Sequence, residues 1–218
     1  EILDDTSDLD TYEPDFDLLD DTNAIKVEDL TFKYFGSSKN LFENFDLNIE
    51  KNKHTVITGS NGVGKSTLVS IVAGVLRPTS GKVSLFSNKI AYVGAVPLII
   101  PGSLRDNLCY GSEKKYNDDK LMSIVKDFKL TDGNIDLNNE ISNKSLSSGQ
   151  IQKISFMRAI LSEPEILILD ESTANLDDIS KNTVFKILES LDVTIINVTH
   201  NPEDFNYDRN INLDQAEK

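Results

Sequence analysis

The densest chemical signal in the chain is the run Gly59, Ser60, Asn61, Gly62, Val63, Gly64, Lys65, Ser66 and Thr67. Its glycines let the backbone curl so that successive N–H groups face a phosphate, and a helix starting at Lys65 adds its N-terminus to the same nest. Lys65 brings a mobile point charge to the β- and γ-phosphates, and the Ser66 hydroxyl is a ligand for Mg²⁺. A strand before and a helix after are the context this pattern needs; the bland alternative is a glycine-rich turn. A second cluster closes the run Ile166-Leu-Ile-Leu-Asp170-Glu171. The carboxyl end of a buried parallel strand is where such sheets bind ligands. There Asp170 can hold Mg²⁺, and Glu171 stands beside the γ-phosphate to orient or deprotonate the attacking water. Alone, the pair could be an acidic turn. A third segment, Leu146-Ser147-Ser148-Gly149-Gln150, heads a predicted helix and by itself reads as an N-cap.

The elements that must position these residues follow from apolar periodicity. Alternation predicts strands over 25–34 and 41–49, able to pair antiparallel, and a short strand over 54–58 runs straight into the glycine-rich loop. Apolar residues at Leu68, Val69, Ile71, Val72, Val75 and Leu76 predict a helix over 65–76, stopped by Pro78 and Gly81. Strands are expected at 82–86 and 90–93, and helices at 104–108, 118–128, 148–161 and 179–191. The nearly all-apolar runs 165–170 and 193–198 have the texture of strands buried on both faces. Strands alternating with helices around a glycine-rich loop indicate an α/β fold with a mainly parallel central sheet.

The chain has 218 residues and 39% of them are apolar, enough for one sizeable core. The longest apolar run, 91–102, contains two prolines and falls well short of the roughly 20 residues a membrane span needs. No signal-peptide pattern is read, and an opening on Glu1 within a ragged polar stretch predicts a piece of a longer chain. One cysteine, Cys109, supports no disulfide framework, and a reducing compartment is expected. The net charge of −14 argues against nucleic acid as a partner. Residues 1–24 carry ten acids and no base, whereas the remainder holds 26 acids against 22 bases. Residues 1–24 are therefore expected to be an acidic flexible linker, and 25–218 the folded domain.

The segment Leu146–Gln150, taken with the other two motifs, resembles the signature of the ATP-binding cassette (ABC) ATPases, commonly LSGGQ, over residues 25–218. The resemblance implies a P-loop NTPase (RecA-like) core, an antiparallel β subdomain and an inserted α-helical subdomain at about 97–160. It implies ATP and Mg²⁺ as cofactors, and a second cassette, identical or related, closing over two nucleotides. Ser147, Gly149 and Gln150 would then complete the partner's site, with Ser148 a mild departure from the usual glycine. Tyr34, which precedes the loop by 25 residues, matches the aromatic on which adenine stacks; a core aromatic is the alternative. Residues 172–177 look like the dimer-contact loop that follows the catalytic Glu171. His200, at the end of a predicted strand, matches the switch histidine that bonds the γ-phosphate. His54, the other histidine, has no motif around it and reads as a strand residue.

Three features depart from the pattern. Alanine stands at position 95, where most of the family has a glutamine that ligates Mg²⁺, and no Gln or Glu lies between Ile90 and Gly102. The acidic-glycine stretch before the signature is missing, with Asn143-Lys-Ser145 in its place, and 81–93 lacks the usual excursion. Pro101-Gly-Ser-Leu-Arg105-Asp-Asn107-Leu is nevertheless similar to an exporter segment, and the compact spacing resembles a subgroup that includes peroxisomal fatty-acyl transporters and their bacterial relatives. Together these imply the ATPase domain of an exporter-type transporter at the cytoplasmic face of a membrane, joined to a transmembrane domain. Two alternatives stay open: a soluble ABC ATPase of DNA repair or translation, and a regulatory nucleotide-binding module with little turnover.

Overall fold

Two kinds of apolar pattern build two kinds of sheet. The computed structural model describes residues 12–16, 22–112, 114–131, 133 and 136–216. In chain order the elements are β1 (Asp15–Phe16), β2 (Asn23–Phe32), β3 (Phe42–Glu50), β4 (His54–Thr58), α1 (Lys65–Val72), β5 (Ser80–Leu85) and β6 (Ile90–Gly94). There follow β7 (Gly102–Ser103), α2 (Leu104–Cys109), α3 (Asp118–Asp127), β8 (Glu140–Ile141), α4 (Ser148–Leu161), β9 (Ile166–Asp170), α5 (Asp178–Glu189), β10 (Thr194–Val198) and β11 (Arg209–Asn212).

The alternating strands form one sheet in the order β1-β5-β2-β3, in which β2 runs antiparallel to both β3 and β5. The continuous apolar strands form the other, in the order β11-β4-β10-β9-β6, parallel at every pairing. Strand β9 shows why an all-apolar run suits this sheet: Ile166 and Ile168 enter one core, Leu167 and Leu169 the other, and all four are fully buried. The first core lies between the antiparallel sheet, α1 and one face of the parallel sheet. The second joins the opposite face to α2, α3, α4 and α5. The helices of residues 97–160 thus share an apolar core with the sheet instead of closing one of their own.

Most expected elements appear within a few residues of their predicted bounds. Helix α1 ends at Val72, short of Leu76, because Gly74 takes φ +75, the left-handed conformation that stops a helix. The linker expectation is corrected for residues 12–16: β1 pairs parallel with β5 through Asp15↔Ser84 and Phe16↔Leu85, and Tyr12 packs against the first core. Backbone pairing at a sheet edge and burial of an aromatic outweigh the local acidity. The folded domain also begins earlier than expected, since β2 starts at Asn23 and Ala24 is fully buried. Residues 1–11 and 17–21 lie outside the described residues. Strands β7, β8 and β11 carry no periodic signal; they exist through their tertiary partners. Among the described residues no helix is long and apolar enough to cross a membrane.

Candidate active site

The glycine-rich loop joins the carboxyl end of β4 to the start of α1. Helices α2 to α5 each begin with a side chain accepting a bond from a first-turn amide, whereas α1 begins at Gly64 with no side-chain cap and no acidic residue in its first turn. Its orphan N–H groups are left for an anion, as a phosphate site requires. Gly64 sits at φ +111, and a Cβ there would come within 2.7 Å of the Phe42 ring. Packing as well as backbone freedom demands glycine here.

A solvent-open cleft of about 360 Å³ is lined by Tyr34, Leu41, Asn61, Gly62, Gly64, Lys65, Ser66, Thr67 and Glu171. Lys65 is only 5% exposed, and its Nζ donates to the carbonyls of Gly59 at 2.9 Å and Ser60 at 3.1 Å. The ammonium is thus held over the loop, where a phosphate oxygen can take it from acceptors that are merely neutral. Val63 points away, into the first core. Ser60 also points elsewhere: its N–H and Oγ both donate to the Asp214 carboxylate, each at 2.7 Å. Tyr34 stands just past the end of β2 and is half-exposed, not a core residue. Phe32 meets its ring edge-on, and its hydroxyl bonds Thr67 Oγ1 at 2.7 Å. The exposed half of Tyr34 lines the cleft.

The carboxylates come from the end of β9. Ser66 Oγ donates to Asp170 Oδ1 at 2.9 Å, and the Tyr92 hydroxyl donates to Oδ2 at 2.7 Å. Burial is the first reason the Tyr92 phenol titrates well above its ordinary value, and the adjacent Asp170 adds to it, so Tyr92 stays a donor. A serine hydroxyl beside a single carboxylate, at the helix N-terminus, fits a Mg²⁺ held chiefly by nucleotide phosphates and water. No cluster of three or more acidic, His or Cys side chains among the described residues offers a cage of its own. Glu171 takes φ +50, unusual for a residue with a side chain, and its N–H closes onto the Val198 carbonyl at 3.0 Å. Its Oε1 lies 3.2 Å from His200 Nε2.

Of the expected residues, Tyr34, Asn61, Gly62, Gly64, Lys65, Ser66, Thr67 and Glu171 line the cleft, and Asp170 and His200 adjoin it through Ser66 and Glu171. Ser147, Gly149 and Gln150 do not line the cleft. Ser147 caps α4, accepting from the Gln150 amide while Gln150 Oε1 accepts from the Ser147 N–H, so these two side chains form a capping box. The Ser147 proton remains free to donate. At Ala95 the side chain offers no ligand; its carbonyl accepts from Asn175 Nδ2 at 3.1 Å, and that of Gly94 accepts from Gln152 Nε2 at 3.1 Å. Tyr92 and Asp214 are the residues that sequence reasoning missed; Asn175 lies within the expected contact loop 172–177, but its bond to Ala95 was not foreseen. Of the two missed, only Tyr92, a polar-tipped residue in an apolar strand, left a signal.

A profile described as ABC transporter matches residues 42–174. The lactococcin-A transport/processing ATP-binding protein LcnC of Lactococcus lactis subsp. lactis is 33% identical over 197 residues, 81% of this chain and 27% of that protein. The energy-coupling factor transporter ATP-binding protein EcfA1 of Mycoplasmopsis pulmonis (strain UAB CTIP) is 30% identical over 200 residues, 83% of this chain and 75% of that protein. A bacterial Atm1-family ABC exporter solved with ATP bound superposes with a TM-score of 0.81 at 16% identity, over 94% of this chain and 40% of that one, a likeness of fold. The chain spans about a quarter of the length of LcnC. The narrower resemblance to fatty-acyl transporters draws no support from these names. With its phosphate loop, its acidic strand end and its signature helix in one α/β fold, the chain belongs to the ABC transporter family, as one of its ATP-binding P-loop ATPase domains.

Proposed function

We propose that this chain is the motor domain of an exporter-type transporter, and that it works at the cytoplasmic face of a membrane by closing with a second cassette around two ATP molecules. The observation that carries the reading is a division of labour. Lys65, Ser66, Asp170, Glu171 and His200 converge on one cleft, while Ser147 and Gly149 stand outside it with a free hydroxyl and a helix start. A second chain docked face to face brings its own Ser147, Gly149 and Gln150 to the phosphates, which supports a site completed in trans.

The roles follow from chemistry. Backbone N–H groups of the loop beyond Ser60 and the Lys65 ammonium bind the phosphates, and Tyr34 stacks on the base. Ser66 and Asp170 would hold a Mg²⁺, whose charge would offset that of the β- and γ-phosphates. Glu171 accepts the proton of a water as its oxygen bonds to the γ-phosphorus and the bond to the β-phosphate oxygen breaks. His200 donates to the γ-phosphate and, through its contact with Oε1, fixes Glu171. Residues 97–160 form the helical lobe, and exposed Val96 and Leu98 offer apolar contact to a transmembrane domain. The likeness to transport/processing proteins such as LcnC favours the exporter class. The test is ATP-dependent dimerisation. Glu171→Gln with ATP and Mg²⁺ is expected to run as a dimer in size-exclusion chromatography; a chain that binds ATP yet stays monomeric in this variant sinks the sandwich reading.

A further inference from the structure

The edge of the parallel sheet ends at Gly94, and the alanine at position 95 beyond it brings no ligand oxygen to the metal site. Strand β6 is that edge, and its register sets Gly94 opposite Asp170 and Tyr92 opposite Ile168. Side chains two apart on a strand share a face, so Tyr92 lies on the Gly94 side and can lean along the strand toward Asp170. Gly94 permits this: a Cβ there would meet the Tyr92 ring at 3.2 Å. The hydroxyl ends 2.7 Å from Asp170 Oδ2, while Ser66 takes Oδ1. The phenol thus donates to the oxygen of Asp170 that Ser66 leaves free.

We propose that Tyr92 is a positioning residue for the nucleotide's Mg²⁺: its phenol locks the Asp170 carboxylate in the orientation that faces Ser66, the support that alanine at position 95 does not provide. Two donors on opposite oxygens hold the carboxylate against rotation. Ser66 can offer a lone pair to the metal while its O–H goes on donating to Oδ1, and Tyr92 keeps the second oxygen from turning away. This rests on the nucleotide-binding reading above. It concerns the metal, because the Tyr92 hydroxyl bonds the Asp170 carboxylate.

The test uses the 218-residue chain and its Tyr92→Phe variant, which keeps the ring and removes only the hydroxyl. ATP affinity is measured by calorimetry in EDTA and across a Mg²⁺ titration. The variant is expected to need about tenfold more Mg²⁺ for half-maximal enhancement of ATP binding, the smaller end of what losing a hydrogen-bond partner of a metal ligand costs. Its affinity in EDTA should stay within about twofold of the parent, and its thermal midpoint in EDTA should change little. Adding Ala95→Gln to Tyr92→Phe should restore the Mg²⁺ requirement, since an amide then supplies the missing support. An unchanged or lowered Mg²⁺ requirement overturns the proposal, as does an equal loss of affinity with and without metal. If the parent chain binds no ATP under either condition, the nucleotide reading itself fails and the proposal falls with it.

Discussion

His200 Nε2 lies 3.2 Å from Glu171 Oε1, and Glu171 reaches that position from a left-handed backbone, φ +50, tied by its N–H to the Val198 carbonyl. Both side chains are about two-fifths exposed, so the contact adds little to stability. Its value lies in placement. A histidine at the end of β10 and a carboxylate past the end of β9 meet because the two strands are parallel neighbours that end level, Val198 opposite Asp170. His200→Ala should therefore lower ATP turnover by about 100-fold or more, the range for losing a positioned proton-transfer or charge-stabilising group, with ATP affinity nearly unchanged. Phosphate release against nucleotide binding separates the two effects.

Lys65 answers to a different measurement. Its ammonium rests on two loop carbonyls, a holding position from which a phosphate draws it. Lys65→Ala is expected to weaken ATP binding by about 10- to 100-fold, the worth of a charge-assisted bond. Equilibrium titration with ATP in EDTA reads this without reference to hydrolysis.

At Tyr34 the ring and the hydroxyl are separable. If the exposed ring face carries the base, Tyr34→Ala should raise the dissociation constant for ATP about tenfold or more, a stacking loss of about 1–3 kcal/mol. Tyr34→Phe removes only the Thr67 bond and should stay within about threefold. The same series measured with GTP tests whether the contact is indifferent to the base.

Asp214 takes two bonds from Ser60 and so fastens the C-terminal segment to the phosphate loop. Asp214→Ala should cost about 1 kcal/mol in urea unfolding, modest because the site is exposed. It should also weaken ATP binding, by releasing the loop's first residues from the end of β11.

His54 supplies the pH dependence. It is 8% exposed, its Nδ1 is 2.5 Å from the Asn206 carbonyl, and its Nε2 is buried with no partner. Burial of the charged form brings its pKa from 6.5 down to about 4. Between these values the unfolded chain binds a proton that the folded chain refuses. Stability should therefore be complete above about pH 7 and decline as pH falls toward 4, by about 2 kcal/mol at pH 5. Urea unfolding at pH 7.5 and 5 measures the slope, and His54→Leu should flatten it.

Local chemistry was enough to place the phosphate loop, the acidic strand end, the signature helix and both kinds of strand. Each is written over a few contiguous residues as a glycine spacing, a period of two, or an unbroken apolar run, and such patterns survive without knowledge of the fold. What lies across the chain was not legible. Ser60 and Asp214 are 154 residues apart, and Tyr92 and Asp170 are 78 apart. Strand β11 exists because β4 offers it an edge, and β1 because β5 does, against the acidity of its own surroundings. Sequence by itself determined which residues could bind and hydrolyse a nucleotide. Only the tertiary structure decided which of them share a cleft, because parallel pairing of β4, β10, β9 and β6 brings strand ends from distant segments to one level. That same pairing brings the Tyr92 hydroxyl to the Asp170 carboxylate.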